Sequence, residues 1–101
     1  MHTETSLQLD DSVIVKGRSI LRAINNSLRQ RILFLIHQKG RMIVTDVYKT
    51  LGIEQSVASM HLAILRRANI VNTEREGQMI YYSVNYKRIK DIQNFTEKIL
   101  K

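Results

Sequence analysis

Cysteine is absent from the 101 residues, which removes disulfides, thiolate metal ligation and thiol redox chemistry from consideration. No apolar run reaches the length of about 18 residues that a membrane-crossing helix needs. Tryptophan is absent as well, and no segment joins a basic face to a broad face of Phe and Leu, so anchoring at a membrane surface is disfavoured. The four glycines build no phosphate-cradling loop, and no carboxylates pair at a productive spacing, so nothing points to an enzyme. The stretch Met1 to Asp11 is polar and carries three acids, unlike a secretory signal or transit peptide, and a cytoplasmic location is expected.

Negative charge is also scarce. Nine Asp and Glu face sixteen Lys and Arg, a formal net charge of +7. The excess is concentrated between Ser12 and Thr73, where ten basic residues meet two acids, Asp46 and Glu54, a local balance of +8. A polyanion is the natural partner, and nucleic acid fits better than a membrane surface. The same composition is compatible with a protein that merely solvates its charge.

What is present suffices for one domain over residues 1–101. Hydrophobic residues make up 44% of the chain, too many for a disordered one. A chain this short buries only about 60 to 65% of its unfolded surface, so a partner chain would help complete the core.

Periodicity divides the chain into helices. Ser12 to Ile24 aligns Val13, Gly17, Ile20 and Ile24 along one stripe. Gly17 costs about 1 kcal/mol against Ala inside a helix, which a close-passing backbone at a dimer seam would explain; an exposed, tolerated glycine is an equal alternative. Asn26 or Ser27 can cap a second helix that ends at Gly40. A third runs from about Val44 to Leu51 and is stopped by Gly52. A fourth, Gln55 to Arg67, turns Ala58, Leu62 and Leu65 inward and Gln55, Ser56, Ser59, Met60, Ala63 and Arg67 outward.

Two helices joined by a short glycine-containing turn, the second beginning with small polar residues, form the helix-turn-helix pattern. Small side chains let a helix descend into a major groove about 12 Å wide, where Gln and Ser reach base edges and phosphates. The runs Ile70 to Glu74 and Met79 to Val84, separated by Arg75, Glu76, Gly77 and Gln78, predict a hairpin that serves as a wing. Arg75 and Gln78 at its tip are candidate DNA contacts, whereas Glu74 and Glu76 would repel phosphate unless paired with Arg75 or turned away. A last helix, about Asn85 to Leu100, carries Ile89, Ile92, Phe95 or Thr96, and Ile99 on one stripe. Apolar stripes at both ends of the chain, about 12–25 and 85–100, predict a homodimer through Val13, Gly17, Ile20, Ile24, Ile92, Phe95 and Ile99. Docking of the two ends within one chain is the alternative.

The run from Leu21 to Tyr86, about two thirds of the chain, resembles the ArsR/SmtB family of winged-helix repressors. Four blocks carry the resemblance: Asn25 to Leu33 (NNSLRQRIL), Gly40 to Val47 (GRMIVTDV), Leu51 to Leu65 (LGIEQSVASMHLAIL) and Glu74 to Val84 (EREGQMIYYSV). It implies a homodimer that recognises DNA with the helix at Gln55 to Arg67 in the major groove. On that basis Gln55, Ser56, Val57, Ser59, Met60 and His61 fall in the DNA-contacting segment. His61 also points partly inward, where packing competes with phosphate contact. His2 and His37 have no partner at ligand spacing.

The chain departs from the family where members sense metals or arsenic. Ile43 and Thr45 stand where such members carry cysteines, and Asp91 and Glu97 on the last helix lack a neighbouring histidine. No metal site and no cofactor are expected. Asn26-Ser27 replaces the usual Asp-Pro without loss of a cap. The expected fold is mainly α with a small β-hairpin wing, a winged helix-turn-helix of about five helices and two or three short strands. The expected function is sequence-specific double-stranded DNA binding as a dimeric transcription regulator, most simply a repressor. A winged helix used for protein–protein interaction without DNA contact is the alternative. No residue pattern selects an effector.

Overall fold

The computed structural model describes residues 10–100. Five helices and one hairpin follow in order: α1 (Asp11–Ile24), α2 (Ser27–Lys39), α3 (Val44–Leu51), α4 (Gln55–Arg67), β1 (Val71–Glu76), β2 (Met79–Val84) and α5 (Tyr86–Leu100). His2 lies outside the described residues. The winged helix-turn-helix architecture expected from the sequence is the one observed.

Local chemistry explains the helix boundaries. The Asp10 carboxylate starts α1 by accepting from the Ser12 N–H at 2.9 Å. Asn26 Oδ1 starts α2 by accepting from the Arg29 N–H at 2.9 Å. Gly52 ends α3 in the left-handed region at φ 66°, where a Cβ would be strained. No glycine is available at the end of α4, and Asn69 takes the left-handed position at φ 60°. There the Asn69 N–H donates to the Arg66 carbonyl at 2.9 Å and the Ile70 N–H to the Leu65 carbonyl at 2.9 Å, a Schellman closure.

The hairpin differs from expectation at its tip. Gly77, at φ 64°, permits a two-residue turn of Gly77 and Gln78, so Arg75 and Glu76 lie within β1 opposite Ile80 and Met79. Met42 adds one bridge on the outer side of β2, exchanging two backbone hydrogen bonds with Tyr82 at 3.0 and 2.8 Å.

The core gathers Ile32 and Ile36 of α2, Val47 of α3, Ala58, Leu62 and Leu65 of α4, and Ile70, Val71 and Val84 at the base of the wing. The terminal helices stand largely outside it. Of α1 only Ala23 is buried, and α5 buries no residue fully. Ile24, Ile89 and Ile92 lean on the core, while Val13, Leu21, Phe95 and Ile99 are exposed. The result is elongated, 57 × 24 × 23 Å. Leu21 and Ile24 of α1 and Ile89 and Ile92 of α5 line one cavity of about 650 Å³ between the two terminal helices. A Cβ built on Gly17 meets nothing within 4 Å, so no backbone of the same protomer accounts for that glycine.

The Schellman closure is testable. Asn69→Ala should destabilise the protein by about 1 to 2 kcal/mol, because alanine pays the left-handed penalty. Asn69→Gly should stay within a few tenths of a kcal/mol of the parent in urea denaturation, its freedom at positive φ offsetting its entropy.

Candidate nucleic-acid interface

Recognition by a helix requires that it be held from behind while its outer face stays free. Behind α4, the side chains of Ala58, Leu62 and Leu65 are fully buried. In front, Gln55, Ser56, Ser59 and Met60 are exposed and Val57 is half-buried, all within the first two turns. No side chain caps the start of α4, so its first N–H groups remain free for a phosphate. Turn α3–α4 is short, and the Ile53 N–H donates to the Tyr48 carbonyl at 3.1 Å, fixing the angle between the two helices.

His61 is not on that face. It is 8% exposed, and its Nδ1 lies 3.0 Å from Nη1 of Arg29, itself 7% exposed. Packing therefore wins over phosphate contact at this position, because the ring's polar edge is turned into the protein. Burial, reinforced by the neighbouring guanidinium, holds the His61 pKa below the usual imidazole value. Arg29 also donates from Nε to the Ala23 carbonyl at 2.7 Å and from Nη2 to the Arg22 carbonyl at 2.9 Å. One side chain thus closes the end of α1, belongs to α2 and touches α4.

Arg67 stands apart from the reading half. It is twelve residues beyond Gln55, about 18 Å along the helix axis. With Ser19 and Arg22 of α1 it lines a cavity of about 390 Å³. The far end of α4 is clamped by the start of α5: Asn85 Nδ2 donates to the Asn69 carbonyl at 3.0 Å and Arg88 Nε to the Ala68 carbonyl at 3.2 Å.

At the wing, Arg75 and Gln78 are exposed, and Arg75 Nε donates to the Gly77 carbonyl at 3.0 Å. Glu76 does not pair with Arg75. It forms an ion pair with Arg41, whose guanidinium carbon lies 3.9 Å from the centre of the Tyr81 ring. The bond to Glu76 raises the Arg41 pKa above its already high ordinary value. Arg41, next to the Met42 bridge, therefore ties the wing to the α2–α3 connection and neutralises one of the two carboxylates that would repel DNA.

Residues 26–73 match the sequence profile described as bacterial regulatory protein, arsR family. The transcriptional repressor SdpR of Bacillus subtilis (strain 168) is 34% identical over 77 residues, 76% of this chain and 84% of that protein. The transcriptional activator HlyU of Vibrio cholerae is 32% identical over 85 residues, 84% of this chain and 78% of that protein. The chain belongs to the ArsR family. It is a DNA-binding transcription regulator and not an enzyme. The crystal structure of NolR from Sinorhizobium fredii superposes on it with a TM-score of 0.70 at 31% identity, covering 89% of this chain and 93% of that one.

In this ArsR-family chain three features escaped the sequence reading. Arg29 is one of the ten basic residues of the charge balance, and nothing in its local pattern marks it as buried. Arg41 carries no helical or strand signal at all, and its partners Glu76 and Tyr81 are distant in sequence. Beside it, Lys39, Arg41, Lys49 and Thr50 line a groove of about 400 Å³ with a single carboxylate, Asp46. His37 is exposed, with its Nδ1 2.8 Å from the Tyr86 hydroxyl.

Removing the latch should loosen the wing without unfolding the domain. Arg41→Ala is expected to speed amide hydrogen exchange in β1 and β2 and to weaken DNA binding, with the melting temperature nearly unchanged. Unaltered exchange at the wing would show that the hairpin holds its own position.

Proposed function

We propose that the protein acts as a homodimer that binds an inverted-repeat operator and represses transcription by occluding the promoter. The observation that carries this reading is the outer face of α4. Gln55, Ser56, Ser59 and Met60 project from a helix held rigidly by its apolar back, in a chain of a DNA-binding family. Gln55 and Ser56 suit base edges, Val57 and Met60 suit thymine methyl groups, and Ser59 suits phosphate or base. Arg75 and Gln78 of the wing reach the flanking backbone or minor groove. Lys39 and Lys49 supply further phosphate contacts. SdpR, called a repressor, supports the direction of regulation.

Dimerisation is the second part of the proposal. The exposed or half-buried stripe of Val13, Gly17, Ile20 and Ile24 on α1, with Ile92, Phe95 and Ile99 on α5, would cover the apolar surface that each protomer leaves open. A two-fold axis between paired α1 and α5 helices places two copies of α4 about 34 Å apart, one turn of DNA. No metal sensing is invoked. Ile43 and Thr45 offer no ligand, and among the described residues no three His, Asp or Glu side chains gather closely enough to hold an ion. Among the described residues no helix is long and apolar enough to cross a membrane.

Selection of bound sequences from a random duplex library, at two salt concentrations and with the mass in solution measured, tests the whole reading. An enriched inverted repeat bound by a dimer is expected, with log K falling by about 0.9 per phosphate neutralised for each unit of log salt. Ser56→Ala should cost about 1 to 3 kcal/mol on the selected operator and much less on random DNA. Equal losses on both would remove the base-reading role.

A further inference from the structure

Buried ionisable side chains occur at one place among the described residues, where Arg29 and His61 face each other. Guanidinium nitrogens can only donate, so Nδ1 of His61 is the acceptor and the ring is neutral, with its proton on Nε2. Arginine keeps its charge throughout the pH range of a folded protein. The ring is therefore the partner that can change. Protonating Nδ1 replaces an accepting lone pair with an N–H aimed at a cation, which abolishes the bond and sets two positive charges 3.0 Å apart.

The surroundings offer no relief. From α1 comes Arg22, from α2 Arg29 itself, and from the same helix Arg67. These three line the cavity between α1 and α4, which Arg29 borders and His61 does not, and no carboxylate joins them there. α3 and β1 also pack against α4 but bring no charge that acts on the ring, Arg29 being the one group that does. The contact also sits at a junction, because Arg29 simultaneously holds the carbonyls that end α1.

We propose that Arg29 and His61 form a positioning pair that holds α4 against α1 in its DNA-reading pose while the ring is neutral and releases it on protonation, making operator binding acid-sensitive. The inference rests on reading α4 as the recognition helix. Its direction follows from proton linkage. A released ring takes up a proton near the ordinary value of about 6.5, whereas the packed ring resists protonation, so the packed pose binds fewer protons. Its stability is complete above about pH 6.5 and is lost as the pH falls through the lower value of the packed ring.

The test uses the full chain carrying His2→Gln and His37→Gln, which leaves His61 as the one titrating imidazole. Ring NMR signals and hydrogen exchange of the α4 amides are followed from about pH 7.5 to about pH 5, on either side of the imidazole range. Affinity for the selected operator is measured over the same range at constant ionic strength. The expected result is a ring that titrates late, α4 amides that lose protection with it, and a Kd that rises about tenfold per pH unit of separation between packed and released rings. His61→Asn, whose Oδ1 can accept from Arg29 but cannot titrate, should hold its affinity level across the range. A ring that titrates as an exposed imidazole, with α4 unmoved, would overturn the proposal without any reference to DNA. Equal acid loss in wild type and His61→Asn would overturn it too. Absence of duplex binding at about pH 7.5 would instead count against reading α4 as the recognition helix, and the NMR arm would still decide the switch.

Discussion

Burying the guanidinium of Arg29 is tolerable only because its donors meet the carbonyls of Arg22 and Ala23 and the ring nitrogen of His61. Leaving a buried donor without its acceptor costs about 1 to 3 kcal/mol, and more when the donor is charged, so these three acceptors must stay where they are. That requirement fixes the end of α1 over α2 and both over the back of α4. The apolar contacts of Leu62 and Leu65 supply the larger share of the burial energy, but they are non-directional. Packing alone would tolerate small slides of α4. The hydrogen bonds of Arg29 are directional and select one placement among those that bury the same area.

The other end of α4 is fixed by different means that serve the same purpose. Asn69 turns the chain back, and Asn85 and Arg88 hold the freed carbonyls of Asn69 and Ala68. Arg41 does for the wing what Arg29 does for the helix, reaching Glu76 and Tyr81 from the loop before α3. In each case an arginine or asparagine tethers α4 or the wing to a neighbour distant in sequence.

Which parts of this were legible in the sequence follows from the range of the interactions. Helical periodicity, the caps Asn26 and Gly52, and the inward set Ala58, Leu62 and Leu65 are local signals, and the helix boundaries read from them agree closely with those observed. The exposed face of Gln55, Ser56, Ser59 and Met60 is the complement of that inward set and was equally readable. The turn was placed two residues too wide, both at the end of the first strand, because Arg75 and Glu76 have no strand propensity and enter β1 only through pairing with Ile80 and Met79. His61 was ambiguous for a specific reason: its position on the helix is borderline between faces, and the residue that decides it, Arg29, lies 32 positions earlier. Arg29 has an ordinary helical setting, and composition counts it as surface charge like any other.

That miscount bears on how the protein meets a polyanion. Of the ten basic residues between Ser12 and Thr73, Arg29 is turned inward and Arg41 is engaged with Glu76, so the field at the DNA side is weaker than the formal balance implies. Lys39 ends α2, Lys49 lies in the last turn of α3 and Arg75 stands on the wing, all three exposed. In the proposed reading these long cations would meet phosphate at any sequence, and the short side chains of α4 would meet base edges, where geometry is strict. Under that proposal affinity and specificity fall to different residues. The inward arginine belongs to neither set: side chains on a helix discriminate bases only as well as that helix is held, and Arg29 is the residue that bonds at once to the end of α1 and to His61 of α4.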